Sequence, residues 1–150
     1  MRITTYQTRL NEERIISLVK EKSSNYPEIR QIDSPESCAK MLEIIFEASK
    51  LAEERLWLIA LNGGRKVSGV FEVSHGTLTS SLIHPREIFS RAILAGAASI
   101  IIAHNHPSGI LSISEEDRKV SRRIEQAGEL IGIKLDDHII VGNGNFVSAL

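Results

Sequence analysis

Residues 103–109 have the sequence AHNHPSG, and they directly follow the short apolar run SIII at residues 99–102. A run of this kind predicts a buried strand. Side chains two residues apart in a strand point to the same face of the sheet. We therefore expect His104 and His106 to face the same way where this strand ends.

A carboxylate follows at Asp117, eleven residues after His106. Imidazole nitrogen and carboxylate oxygen are both good ligands of Zn²⁺, and three protein ligands leave one tetrahedral position open for water. A zinc ion lowers the pKa of such a water molecule towards neutrality, as a hydrolytic site requires. The pattern therefore indicates His104, His106 and Asp117 as three ligands of one Zn²⁺ ion.

The segment from Ser114 to Asp117 also has a purely structural interpretation. A serine followed by acidic residues is typical of a helix start, because the hydroxyl caps a free amide and the acids favour the positive end of the helix dipole. Taken alone, Ser-x-x-Asp is more often a cap than a metal site. The two roles are compatible, since Ser114 would fix the helix that presents Asp117. Apolar residues at a helical period continue this helix: Val120, Ile124, Ala127 and Ile131.

Two histidines separated by one residue are followed, after seven residues, by a serine and, after two more, by an aspartate. This order resembles the motif of the JAMM (JAB/MPN) metalloproteases. Three further strings are similar to the RadC branch of that superfamily: Thr77-Leu78, HPRE at residues 84–87 and DHIIVG at residues 137–142. The resemblance covers residues 34–150. Longer members of the family carry a helix-hairpin-helix region ahead of this domain, and the first 33 residues are too short for one.

The resemblance implies an α/β fold of the deaminase-like α/β/α sandwich type, in which helices flank a mixed β-sheet. It implies a Zn²⁺ cofactor held by His104, His106 and Asp117. It places a proton-transferring glutamate at the start of an upstream strand, on Glu54. A slip of one residue in register would move that role to Glu53. By the same resemblance, Ser114 would help to stabilise the developing oxyanion.

The neighbours of the motif have smaller expected roles. Strand alternation predicts that Asn105 points away from the metal. Pro107 and Gly109 are expected to shape the turn that leaves the strand, and Ser108 could supply a hydrogen bond to a ligand. We expect His138 to be a buried, hydrogen-bonded histidine of a central strand, with support of the zinc ligands as the alternative.

The first 33 residues are expected to form an N-terminal helix and a linker. The helix would run from Asn11 to about Lys20, where four apolar residues cluster, and the polar stretch 21–33 would be the linker. Residues 34–150 would form the RadC-like domain. Its expected elements are helices that begin at Ser34-Pro35, His84-Pro85 and Ser114, and strands at residues 56–61, 67–73, 99–104, 134–141 and 146–149.

Composition sets limits on the other classes of function. The 150 residues suit one domain, and 42% hydrophobic with 25% charged residues is ordinary for a soluble globular protein. The net charge of -1 gives no overall attraction to nucleic acid or to an anionic membrane. The sequence has neither an apolar run of membrane-spanning length nor a signal peptide, so we expect a cytoplasmic protein. Its single cysteine, Cys38, is expected to lie in the core.

These observations together predict a zinc-dependent hydrolase of amide bonds, by resemblance a JAMM-type metallopeptidase or isopeptidase acting on a peptide or a protein conjugate. A zinc deaminase fits less well, because it needs a pair of cysteine ligands and this chain has one cysteine. One alternative is a metal-binding interaction module without turnover. Another is a role in DNA metabolism, suggested by the name RadC, although the sequence has no basic stripe and no aromatic stacking platform.

Overall fold

The structure is a computed structural model of the 150-residue chain, and it describes residues 1–77 and 83–150. Leu78, part of one family-like string, lies outside the described residues. Within them, a single mixed sheet has the strand order β2-β1-β4-β3-β5-β6-β7. The strands are β1 (Arg2–Leu10), β2 (Ile16–Asn25), β3 (Arg55–Leu61), β4 (Val67–His75), β5 (Ser99–Asn105), β6 (Lys134–Gly142) and β7 (Asn145–Ser148). The helices are α1 (Pro35–Phe46), α2 (Pro85–Leu94) and α3 (Glu115–Ile131).

Strand β5 lies in the middle of the sheet, antiparallel to β3 and parallel to β6. Its residues 100–103 are all buried, as the uninterrupted apolar run predicted. Alternate residues pack on opposite faces: Ile101 and Ala103 belong to the core that includes α1, whereas Ile100 and Ile102 belong to the core that includes α2 and α3. Helices on both faces of a mixed sheet confirm the expected α/β sandwich.

The elements expected after residue 34 are present, each within two residues of its expected bounds. Helix α1 begins at a capping box, in which Ser34 accepts a hydrogen bond from the amide of Ser37. The turn between β3 and β4 is held by Asn62, whose Oδ1 accepts hydrogen bonds from the amides of Gly64 and Lys66. Cys38 is fully buried on α1, as predicted.

The expected N-terminal helix and linker are wrong. Residues 2–25 form the hairpin β1–β2 instead, and β1 joins the main sheet through a parallel pairing of Thr5 with Val70. The hairpin turn is closed by Asn11, whose Oδ1 accepts hydrogen bonds from the amides of Glu13 and Ile15. The segment after β2 is not a loose linker either, because two of its apolar side chains are buried: Ile29 and Ile32.

Two apolar helix residues, Ile93 and Ile131, lie outside the buried faces of their helices. Ile93 on α2 is 58% exposed, because the buried stripe of that helix consists of Ile88, Phe89 and Ala92 and Ile93 lies beside it. Ile131 is 45% exposed, because it is the last residue of α3 and extends past the sheet-facing turns. Among the helices in the described part of the chain, none is long and apolar enough to cross a bilayer.

Candidate metal centre

The three residues expected to bind a metal converge at the C-terminal end of the central strand β5. His104 lies at the end of β5, His106 follows that strand, and Asp117 lies in the first turn of α3. Each contributes one ligand atom to a group whose atoms all lie within 4.8 Å of one another. His104 Nε2 is 3.0 Å from His106 Nε2 and 3.2 Å from Asp117 Oδ1. Three donors this close could hold a metal ion.

Strand alternation at the end of β5 explains the orientation of these side chains. His104 and His106 face one side, and Asn105 between them is almost fully buried and turned towards the start of β3. Its Oδ1 accepts a hydrogen bond from the amide of Arg55 at 2.7 Å, and its Nδ2 donates one to the carbonyl of Glu53 at 3.0 Å. Asn105 therefore fixes the backbone on both sides of Glu54, a role that the sequence did not indicate.

Helix α3 begins at a capping box that also holds Asp117. Ser114 Oγ accepts a hydrogen bond from the amide of Asp117 at 3.0 Å. In return, Asp117 Oδ2 accepts bonds from the amide of Ser114 at 2.8 Å and from its hydroxyl at 2.6 Å. The structure thus combines the two interpretations of this segment: the cap uses Oδ2, and Oδ1 faces His104.

The carboxyl group of Asp117 is suited to remain ionised. Partial burial opposes ionisation, but the neighbouring His104 and the hydrogen bonds from Ser114 outweigh that effect and hold the pKa of Asp117 well below its usual value. An anionic oxygen is a better metal ligand than a neutral carboxyl group, because its negative charge attracts the cation. The capping serine therefore affects the charge of Asp117 as well as its position.

The ring of His106 is oriented by the turn that follows β5. Its Nδ1 is 2.7 Å from the carbonyl oxygen of Ile110. A carbonyl oxygen can only accept a hydrogen bond, so Nδ1 carries the hydrogen and the neutral ring turns the lone pair of Nε2 towards the other ligands. The turn depends on Gly109, which has a φ of 76° and donates its amide hydrogen to the carbonyl of His106. Ser108 Oγ accepts a hydrogen bond from the amide of Ile110.

His138 on β6 lies behind His104 and is buried. Its Nε2 is 2.9 Å from His104 Nδ1, and its Nδ1 is 2.7 Å from the hydroxyl of Ser121. Burial lowers the pKa of His138 to about 3. His138 is therefore a neutral, fully hydrogen-bonded core histidine, as expected, and it also contacts a proposed ligand. Ser121 had no recognisable signal in the sequence.

The two glutamates before β3 have different surroundings. Both line a cavity of about 720 Å³ that His106, Ser114 and Asp117 also line. The carboxylate of Glu53 contacts the imidazole of His75, the last residue of β4. The backbone of Glu54 is fixed by a bond from the amide of Gly76 to its carbonyl at 2.8 Å. The cavity thus brings both candidate bases to the same opening as two of the expected ligands.

Sequence comparisons match the region that builds this site. Residues 32–150 match the model of the RadC-like JAB domain. A UPF0758 protein of Clostridium beijerinckii is 47% identical over 118 residues, which make up 79% of this chain and 51% of that protein. A UPF0758 protein of Rubrobacter xylanophilus is 49% identical over 98 residues, 65% of this chain and 43% of that protein. The chain spans about half the length of the curated relatives it matches, and it belongs to the family of the RadC-like JAB domain.

Proposed function

We propose that this chain is a zinc-dependent hydrolase of amide bonds, a metallopeptidase or isopeptidase of the JAMM type. The observation that carries the proposal is the convergence of His104, His106 and Asp117 on one point beside an open cavity. The cavity beside these residues would admit an extended peptide segment or the tail of a protein conjugate. The near-zero net charge argues against nucleic acid as the substrate.

The donor set suits zinc in chemistry and in spacing. Two imidazole nitrogens and one carboxylate oxygen are a common ligand set for catalytic zinc. Ligand atoms bound at about 2.0–2.1 Å to a tetrahedral zinc ion lie about 3.3 Å from one another. His104 Nε2 lies 3.0 Å from His106 Nε2 and 3.2 Å from Asp117 Oδ1, and His106 Nε2 lies 3.8 Å from the other carboxylate oxygen, Asp117 Oδ2. A zinc ion therefore requires only small side-chain adjustments.

Each residue of the site has a proposed part in the reaction. When bound, zinc supplies the Lewis acidity that polarises a scissile carbonyl and acidifies water. Glu54 accepts the proton from that water and returns it to the leaving amine. Ser114 stabilises the negative charge that develops on the carbonyl oxygen. Its hydroxyl hydrogen points to Asp117 Oδ2 in this structure, so the catalytic role requires the hydroxyl to turn towards the substrate.

A screen for substrates on zinc-loaded protein, followed by a pair of glutamate variants, tests this proposal. The screen would include peptides, conjugates of ubiquitin-like proteins and cysteine-tagged conjugates. Glu54→Gln should retain the metal and lower turnover by about 10²–10⁴, the range for loss of a general acid–base group. Glu53→Gln is the matched control and should retain nearly full turnover.

The outcomes separate the alternatives. Full activity in Glu54→Gln together with loss of activity in Glu53→Gln would move the catalytic role to Glu53. Metal binding without turnover on any member of the substrate panel would support the interaction module in place of the hydrolase.

A further inference from the structure

His104 and two buried residues behind it form a continuous chain of hydrogen bonds. Ser121 lies one turn along α3 from Asp117, and its Oγ is 3.0 Å from the Asp117 carbonyl oxygen and 2.7 Å from His138 Nδ1. His138 Nε2 is 2.9 Å from His104 Nδ1. Ser121, His138 and His104 are exposed by only 4%, 1% and 2%, so water does not substitute for these contacts.

The chemistry of the groups fixes the direction of each bond. A hydroxyl has one hydrogen, and the Asp117 carbonyl can only accept, so Ser121 donates to Asp117. The oxygen of Ser121 must then accept a hydrogen from His138 Nδ1. A neutral imidazole has a single N–H, so His138 Nε2 carries a lone pair and accepts a hydrogen from His104 Nδ1.

This direction determines what His104 presents to the metal. Once Nδ1 of His104 carries the hydrogen, Nε2 has the lone pair, and Nε2 is the atom that faces His106 and Asp117. If Ser121 gave its hydrogen to His138 instead, every bond would reverse. His104 Nε2 would then direct a hydrogen at the position of the ion.

The two proposed histidine ligands are oriented in different ways. His106 donates to the carbonyl of Ile110, an acceptor that cannot change its role. His104 donates to another histidine, whose two nitrogens can exchange roles. An additional group is therefore needed to select one tautomer of His138, and Ser121 is placed to supply it.

We infer that Ser121 and His138 are positioning residues that hold His104 in the tautomer whose Nε2 binds the metal. This inference rests on the proposed function, since it assigns how the zinc site is prepared. Ser121 also connects the chain to the backbone of Asp117, so one turn of α3 orients two of the three ligands. Partners behind a histidine ligand commonly contribute about 10- to 100-fold to metal affinity.

Zinc affinity, measured by competition with a chromogenic chelator, tests the inference on four variants of the full chain. Ser121→Ala and His138→Leu should each bind zinc about 10- to 100-fold more weakly. His138→Gln should lose less, because its amide oxygen can still accept a hydrogen from His104 Nδ1. Ser74→Ala is the matched control: its hydroxyl is buried and has no hydrogen-bond partner in the part of the chain that the structure describes, so its affinity should be unchanged.

The tautomers can also be observed directly. Long-range ¹H–¹⁵N spectra of the zinc-loaded protein, labelled with ¹⁵N at histidine, should show the hydrogen on Nδ1 of both His104 and His138. A hydrogen on His138 Nε2, or unchanged zinc affinity in Ser121→Ala, would overturn the inference while leaving the zinc site intact. Failure of the unmodified chain to bind zinc would overturn the proposed function together with the inference. These failures are therefore distinguishable.

Discussion

The segment from β5 to the start of α3 and the N-terminal hairpin differ in how directly their sequences determine their structures. In the first, strand alternation and a helix cap place the three expected ligands within 4.8 Å of one another. In the second, three of the four apolar residues that suggested a helix instead belong to β2, an edge strand without a fully buried residue, and the fourth, Ile15, directly precedes it. The difference shows that local sequence patterns predict a structure correctly where neighbouring residues along the chain make the contacts. They do not predict it where pairing with a distant strand decides the structure.

The apolar pattern of the hairpin does not distinguish a helix from a strand. The apolar residues Ile15, Ile16, Leu18 and Val19 are too few and too close together to separate a helical period from a strand. Those of them that lie in β2 pair with residues of β1, which in turn pairs with β4 some 65 residues away. The hairpin lies outside residues 32–150, which match the family. It extends the sheet that the matched residues form.

The largest expected effect on stability tests whether the hairpin is integral to the fold. Ile3 on β1 is 2% exposed and packs in the core that includes α1, so Ile3→Ala should lower the free energy of unfolding by about 2–5 kcal/mol. Ile16→Ala, the same change on the exposed strand β2, should alter it by at most about 0.5 kcal/mol. Urea unfolding measures both. Equal changes in the free energy of unfolding would contradict the placement of the hairpin. A change of zinc affinity in either variant would connect the hairpin to the proposed metal site.

A smaller effect on stability is expected at Ser114, where the two proposed roles can be separated. As a cap, Ser114→Ala should cost about 1 kcal/mol of stability and Ser114→Gly only a few tenths. If the hydroxyl also stabilises the oxyanion, turnover should fall by about 10²–10³ in both variants, despite their different stabilities. The comparison requires zinc-saturated protein, because a loosened helix start could displace Asp117. Near-normal turnover in Ser114→Gly would leave Ser114 as a positioning residue only.

The candidate site could be predicted in its local parts and not in its long-range parts. The expected ligand residues follow from spacing along one strand and one helix start, and their convergence agrees with that expectation. The bonds from Asn105 to the backbone around Glu54 span about 50 residues, and the contact of His138 with His104 spans 34. Both depend on which strands are neighbours in the sheet. A single sequence does not contain that information as a local pattern.

The central claim is that His104, His106 and Asp117 form one zinc site, and metal content tests it most directly. Protein purified without chelator should contain about one zinc ion per chain, with nitrogen ligands at about 2.0–2.1 Å by X-ray absorption. The double variant His104→Ala/His106→Ala should lose that metal. The matched double variant His75→Ala/His84→Ala, which removes two histidines outside the ligand group, should keep it. Stoichiometric zinc in the first double variant would contradict the account.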